Sequence, residues 1–140
     1  MKIVFDYSIF FHQKYGGITR YFLNLHNKLL ERDIEAKILA PLNNNIFLKN
    51  HDLNYFSGFY VKNYPMFTRK LFKEFNYIYS KLFTKIYKPN IIHKTFYEKN
   101  FTDNSSIKKI ITVYDLVHEI YFEEYNLPRD YKPKKVALQN

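Results

Sequence analysis

The chain has 140 residues, enough for a single domain with a buried core. Its composition, 46% hydrophobic and 25% charged with 3 Gly and 5 Pro, is globular and excludes a disordered or collagen-like chain. The absence of cysteine excludes disulfide scaffolds, thiolate metal sites and cysteine nucleophiles.

The formal charge of +9 comes from 18 Lys and 4 Arg, alongside 14 Asn, 14 Tyr and 14 Phe. Base and phosphate recognition favours arginine forks, so this balance indicates a compositional bias and we expect no nucleic-acid partner. Asp6 follows the first apolar residues too early for a signal peptide, and the longest apolar runs are far below the about 20 residues of a membrane span. The sequence therefore predicts a cytoplasmic protein.

A short apolar run at residues 2–5, closed by Asp6, predicts a strand buried on both faces of a parallel sheet, followed by a polar loop. From Gly17 to about Asp33 the pattern is that of an amphipathic helix. Its apolar positions are Ile18, Tyr21, Phe22, Leu25 and Leu29. Residues 37–40 predict a second strand that ends at Pro41, which completes a strand–helix–strand unit.

Residues 41–64 predict loops and at most a short strand, whereas residues 67–87 predict a long helix between Pro65 and Pro89. We expect its apolar stripe to pack on the core. The stripe consists of Leu71, Phe75, Ile78, Leu82 and Ile86. The lysines of the opposite face form a solvated surface or contact anionic lipid head groups. They are Lys70, Lys73, Lys81, Lys85 and Lys88.

Residues 91–93 and 109–114 predict two more buried strands. Strands that alternate with helices predict an α/β fold, a Rossmann-like, doubly wound and mostly parallel sheet with helices on both faces. Ligands of such sheets bind beyond the carboxyl ends of the strands. This rule selects residues 6–17, the segment after Ala40, and residues 93–97 and 114–119. A helical pattern begins at residue 132 and has no visible end, so we expect residues 1–140 to be one domain that is incomplete at its C-terminus.

Gly16 and Gly17 stand where the first loop enters the first helix. Paired glycines and the free N–H groups of a helix N-terminus can bind an anion such as a phosphate, but they are also typical of a tight turn. The positive charge of Arg20 is unfavourable near the positive end of the helix dipole, unless Arg20 binds an anion or a carboxylate. Neither G-x-G-x-x-G nor a Walker loop is present, which removes the main support for nicotinamide or ATP chemistry.

Several polar residues follow the predicted third and fourth strands: His93, Asp115, His118 and Glu119. Histidines and carboxylates at neighbouring strand ends can bind hydroxyl groups or transfer a proton, or they can be structural. No H-x-x-x-H or H-E-x-x-H spacing occurs, so a metal site is the weaker interpretation.

Four segments in chain order, MKIVFDYSIF, KYGGITRYFLNLHNKL, KPNIIHKTFY and KKIITVYDLVHEIYFEEY, resemble the N-terminal half of a family 4 glycosyltransferase of the GT-B fold. The resemblance runs the length of the chain. It implies two Rossmann-like domains that face each other across a cleft, of which this one mainly binds the acceptor. The implied reaction moves a sugar from a nucleotide-sugar donor to a glycan or lipid-linked saccharide, with retention of configuration and without a metal or other cofactor.

By the same resemblance Gly16, Gly17 and Arg20 approach the phosphates and the sugar of the donor. Asp115 and His118 are implied as catalytic, and the acceptor-binding residues would be His93, Tyr114 and Glu119. Tyr114 stands where many relatives have histidine, so a histidine–sugar contact there does not carry over. The residues that hold the nucleotide in this family lie in a C-terminal domain beyond Asn140, so we expect the 140 residues alone to be inactive.

Two other hypotheses remain open from the residues themselves. One is a stand-alone basic module that binds RNA or anionic lipid, and the other is a flavodoxin-like phosphate-binding protein. Peripheral contact with the inner face of the membrane is compatible with the enzyme as well.

Overall fold

The structure, a computed structural model, describes residues 1–49, 56–98 and 106–114. Along the chain, the elements are strand β1 (Lys2–Phe5), helices α1 (Ser8–His12) and α2 (Gly17–Leu30), strand β2 (Glu35–Asn43), a 3-10 turn (Ile46–Leu48), strand β3 (Phe56–Tyr60), helix α3 (Arg69–Tyr87), and strands β4 (Ile91–Lys94) and β5 (Lys108–Ile111).

The five strands form one parallel sheet in the order β3-β2-β1-β4-β5. The chain first builds outward from β1 to β3, and α3 then carries it back so that β4 pairs with the free side of β1. Right-handed crossovers in opposite directions put α2 and α3 on opposite faces of the sheet. The fold is therefore doubly wound and Rossmann-like, as predicted, with its topological switch point between β1 and β4.

The core on the α2 face is built around Phe5. Its ring makes an edge-to-face contact of 5.6 Å with Phe22, and both residues are fully buried. His26 is also buried, and its Nε2 lies 3.2 Å from the carbonyl oxygen of Ala36, which ties α2 to β2.

The predicted loop after β1 is in fact partly helical, since residues 8–12 form α1. Ile9, Phe10 and Phe11 are all buried there. A helix of five residues is too short to display a helical period, so the pattern could not separate it from a loop.

The prediction that the second strand ends at Pro41 is wrong, because β2 continues to Asn43. The register shifts between Leu39 and Leu42, so Pro41 lies at a bulge, where a missing N–H is tolerated. Gly58 on β3 faces this bulge with φ of 155°, and a Cβ atom there would overlap the carbonyl oxygen of Ala40. β3 is the short strand expected between residues 41 and 64.

Helix α3 is where predicted, but the prediction that its apolar stripe packs on the core is wrong. The exposed fractions of the stripe are 67% for Leu71, 48% for Phe75, 57% for Ile78, 55% for Leu82 and 84% for Ile86. The buried residues of the helix are Asn76, Ser80 and Thr84. Small or polar side chains let α3 approach the sheet closely, and Asn76 bonds to both the N–H (2.7 Å) and the carbonyl (2.8 Å) of Leu42.

The fourth predicted strand also differs from expectation. β5 covers residues 108–111 and is one of the two edge strands of the described sheet, with Lys108, Lys109 and Ile110 exposed rather than buried. Among the residues described, no helix has both the length and the apolar character that crossing a membrane requires.

Candidate functional site

The loop that enters α2 is organised by Gln13. Its side-chain oxygen accepts hydrogen bonds from the Thr19 hydroxyl (2.6 Å) and, more weakly, from the Thr19 N–H (3.4 Å). Asn45 holds the same loop by donating to the backbone oxygen of Gln13 (2.6 Å). A side chain at Gly16 would overlap the Gln13 amide, so glycine is needed there to keep this cap in place. The presence of glycine at position 16 is thus explained by the structure of the loop, without a ligand.

Gly17 is different, because a Cβ atom there would meet nothing within 4 Å. Gly17 and Arg20 are both exposed. The first N–H groups of a helix have no intrahelical partner, and Gln13 reaches that of Thr19, which leaves those of Gly17 and Ile18 to an incoming anion. The geometry of this turn is compatible with the predicted contact to a phosphate.

His93 is the next-to-last residue of β4, on the α2 face of the sheet. Its ring packs at 5.2 Å against Phe22 and 5.4 Å against Phe5, and its Nε2 lies 2.8 Å from the Thr112 hydroxyl. Burial lowers the pKa of His93, so the imidazole is neutral near pH 7. A neutral imidazole can donate one hydrogen bond and accept another, but it supplies no charge.

Tyr114 follows β5 and lies beside the start of α2. Its ring is 6.1 Å from that of Tyr21 and 6.0 Å from that of Phe22. Burial raises the pKa of Tyr114, which keeps its hydroxyl protonated at neutral pH. Phe22 therefore joins His93 and Tyr114 to α2, and Tyr21, one turn after Gly17, also contacts Tyr114. We call this edge, formed by Gly17, Arg20, His93 and Tyr114, the glycine-loop surface.

The other predicted residues of this site, Asp115, His118 and Glu119, lie outside the residues that the structure describes. Their predicted roles stay predictions.

The acid that closes the first strand, Asp6, is structural. It is fully buried at the switch point, where its carboxylate accepts hydrogen bonds from Thr95, through both N–H (2.8 Å) and hydroxyl, and from the Ser8 hydroxyl (2.9 Å). Burial raises the pKa of Asp6, against the opposing effect of these hydrogen bonds. The carboxylate ties the ends of β1 and β4 together.

A charged cluster that the sequence did not indicate lies at the same sheet edge, on the α3 side. Glu98, after β4, has one carboxylate oxygen 2.7 Å from His12 Nε2 and lies 2.9 Å from Lys73 Nζ. Arg69 approaches the other nitrogen of His12 at 3.4 Å. The hydrogen bonds from His12 and Lys73 lower the pKa of Glu98 to about 2 despite its burial, so its carboxylate is charged at neutral pH.

Beside this cluster is a cavity of about 510 Å³. Its lining residues are Tyr7, Lys70, Lys73, Glu74, Tyr77 and Glu98. We call it the Glu98 cavity. The rule that ligands bind beyond strand carboxyl ends selects residues 6–17, which include His12, and residues 93–97, which end one residue before Glu98. The contribution of α3 was missed because the wrong face of that helix was assigned to the core.

His12 and Gln13 are neighbours in the chain, yet one belongs to the charged cluster and the other caps α2. The two parts of the edge are thus connected through the end of α1. Within residues 1–49, 56–98 and 106–114 no three His, Asp or Glu side chains form a group suited to a metal ion. Comparison with protein-family models, curated proteins and solved structures returns no match for the chain.

Proposed function

We propose that the chain is the acceptor-side domain of a retaining glycosyltransferase, as its motifs suggest. The domain would receive a sugar from a nucleotide-sugar donor onto a hydroxyl group of a glycan or lipid-linked saccharide. The observation that supports this most directly is the packing of α2 on both predicted acceptor residues. Tyr21, one turn after Gly17, contacts Tyr114, and Phe22 contacts both Tyr114 and His93. The predicted donor and acceptor elements thus share one sheet edge.

On the donor side, the leaving diphosphate needs stabilisation by positive charge. The open space at Gly17 admits an anion close to the helix N-terminus, and the exposed Arg20 supplies a cation on the same turn. In this proposal a second domain holds the nucleotide and completes the cleft.

On the acceptor side, the neutral imidazole of His93 would hydrogen-bond to a sugar hydroxyl. The hydroxyl of Tyr114 is buried, so in this proposal it contacts the acceptor only once it is uncovered. The Glu98 cavity adds a charged carboxylate, which accepts hydrogen bonds from hydroxyls, and its volume of about 510 Å³ lies within the roughly 300–1,000 Å³ range of small-molecule sites. In the proposal Asp115 and His118 act at the reacting hydroxyl, and Glu119 contacts the acceptor.

The test uses the protein encoded by the complete native reading frame, incubated with radiolabelled nucleoside-diphosphate hexoses and a membrane extract as acceptor source. Gly17→Val should reduce transfer at least a hundredfold without loss of fold, because the site has room for the side chain but the anion would lose its approach. Lys28→Ala, at the far end of α2, is the matched control and should retain activity.

Unchanged transfer by Gly17→Val would remove the assignment of Gly17. A folded full-length protein that neither transfers nor hydrolyses any of the nucleotide sugars would overturn the proposed function. The 140-residue chain by itself should transfer nothing, and steady transfer by it would contradict the division of labour between two domains.

A further inference from the structure

The outward side of α3 is a continuous apolar surface. Leu71, Phe75, Ile78, Leu82 and Ile86 recur every three or four residues, so they form one stripe opposite the buried Asn76, Ser80 and Thr84. Each is between 48% and 84% exposed. At 1.5 Å per residue the stripe is about 22 Å long. We call it the outer face of α3.

The charge around this face is predominantly positive. Within α3 there are five basic residues and one acidic residue, Glu74. Lys73 is engaged by Glu98, whereas Lys70, Lys81 and Lys85 are exposed. By helical spacing Lys81 and Lys85 border Ile78 and Leu82. The face therefore combines exposed apolar side chains with flanking cations.

Within residues 1–49, 56–98 and 106–114, no segment covers this face, since all five side chains of the stripe are exposed. Ser57 on β3 lies 3.4 Å from the hydroxyl of Tyr79, so the flank of α3 next to Phe75 and Ile86 adjoins the β3 edge of the sheet. The opposite flank is turned toward β4, as the contact of Lys73 with Glu98 shows. The described chain leaves the sheet at β5, the strand farthest from β3.

A second copy of the chain is a less favourable occupant. In an antiparallel pair of such faces, Lys81 and Lys85 of both copies would lie on the same side of the contact, with Glu74 as the single acid on each helix. Like charges at a shared apolar contact oppose association. An anionic surface has the complementary charge, and a soft bilayer accepts a convex helical ridge without a matching groove.

We propose that the outer face of α3 docks onto a bilayer surface that contains anionic lipids. The apolar side chains would enter the boundary between head groups and acyl chains, to a depth of about 5–10 Å, while Lys81 and Lys85 contact the anionic head groups. The helix would lie in the membrane plane with the sheet above it.

This docking also has a consequence for the site. The first turns of α3 contribute Lys70 and Lys73 to the Glu98 cavity, so docking holds the cavity close to the membrane surface. If the proposed glycosyltransferase function holds, that position selects a lipid-linked saccharide as the acceptor. Only this choice of acceptor rests on the proposed function, since vesicle binding is measured without any sugar transfer.

The experiment is flotation of the full chain with vesicles of phosphatidylcholine alone or with one quarter phosphatidylglycerol. We expect at least tenfold tighter binding to the anionic vesicles, decreasing as salt is raised. Ile78→Ser/Leu82→Ser should weaken binding at least tenfold with unchanged helical circular dichroism, because both side chains are exposed. Lys81→Glu/Lys85→Glu should weaken binding to anionic vesicles to a similar extent.

The matched control is Lys28→Glu/Arg32→Glu, the same change in net charge at exposed positions in and just after α2, on the other face of the sheet. It should alter binding by less than twofold. Equal weakening by this control would overturn the proposal, because attraction would then follow total charge. Undiminished binding by Ile78→Ser/Leu82→Ser would overturn it as well. A wild-type dimer that dissociates in Ile78→Ser/Leu82→Ser, without vesicle binding, would assign the face to self-association.

Discussion

Glu98 and His12 meet at 2.7 Å although 86 residues separate them in the chain. The contact exists because β1 and β4 are neighbours in the sheet, so the segments that follow their carboxyl ends converge. Helix α3 arrives at the same place from the other face and adds Lys73. A charged cluster at the sheet edge is thus assembled by topology, from residues that no local pattern connects.

The first prediction concerns the stability of this cluster against acid. The pKa of Glu98 is about 2 in the folded protein against an ordinary value of 4.5, so the folded state binds this proton less readily than the unfolded chain. The stabilisation is therefore complete above about pH 4.5 and is lost as the pH falls toward 2. Glu98→Gln should cost about 1–2 kcal/mol at pH 7 and less at pH 3.

Urea unfolding at a series of pH values measures this effect. Glu31→Gln, which removes the acid of the exposed Lys28–Glu31 pair, is the control and should follow the wild-type profile. If wild type and Glu98→Gln differ by the same amount at pH 7 and pH 3, the charge of Glu98 is not the origin of the stabilisation.

The second prediction concerns how α3 is held on the sheet. Asn76 is fully buried and bonds to both backbone groups of Leu42. Asn76→Ala should destabilise the fold by about 2–3 kcal/mol, because it leaves the Leu42 N–H and carbonyl without these partners. Asn24→Ala on the exposed side of α2 changes the same residue type and should cost nothing. Equal midpoints of urea unfolding for the two variants would contradict the assignment.

The third prediction compares two glycines. Gly58→Ala places a Cβ atom against the carbonyl oxygen of Ala40 at a φ that L residues rarely adopt, and should destabilise the fold by about 3 kcal/mol. Gly17→Ala has open space and should change stability by less than about 0.5 kcal/mol. Thermal unfolding of both variants tests the pair, and a Gly58→Ala variant as stable as Gly17→Ala would mean that the bulge rearranges freely.

Sequence patterns predicted the sheet because a buried parallel strand has a strong local signature, as residues 2–5 and 91–93 show. They failed at α3 for a physical reason. Hydrophobic periodicity identifies an apolar face, but it does not state that this face is buried. The residues of α3 that are buried against the sheet are Asn76, Ser80 and Thr84. Hydrophobic periodicity assigns these residues to the polar side of the helix.

The residues of the candidate site also fall into those that local sequence signals indicate and those that they do not. Gly17, Arg20 and His93 were selected because glycines at a helix start and polar residues after strands are local signals. His12, Lys73 and Glu98 were missed because their relation is a product of strand order and of which side of α3 faces the sheet. Gln13 was missed as well, and its role as the cap of α2 explains Gly16 without any ligand.

The last prediction concerns His93, whose pKa is lowered by burial between β4 and α2. A folded-state pKa below that of the unfolded chain means that the unfolded chain binds the proton more readily. The contribution of neutral His93 to stability should therefore be complete above about pH 6.5, the ordinary pKa of histidine. It should decrease as the pH falls below that value. His93→Phe fills a similar volume beside Phe5 and Phe22 and should lose this part of the acid dependence. Histidine NMR titration with urea unfolding at pH 7.5 and 5.5 checks both statements, and a His93 pKa at or above 6.5 would contradict a neutral imidazole at the glycine-loop surface.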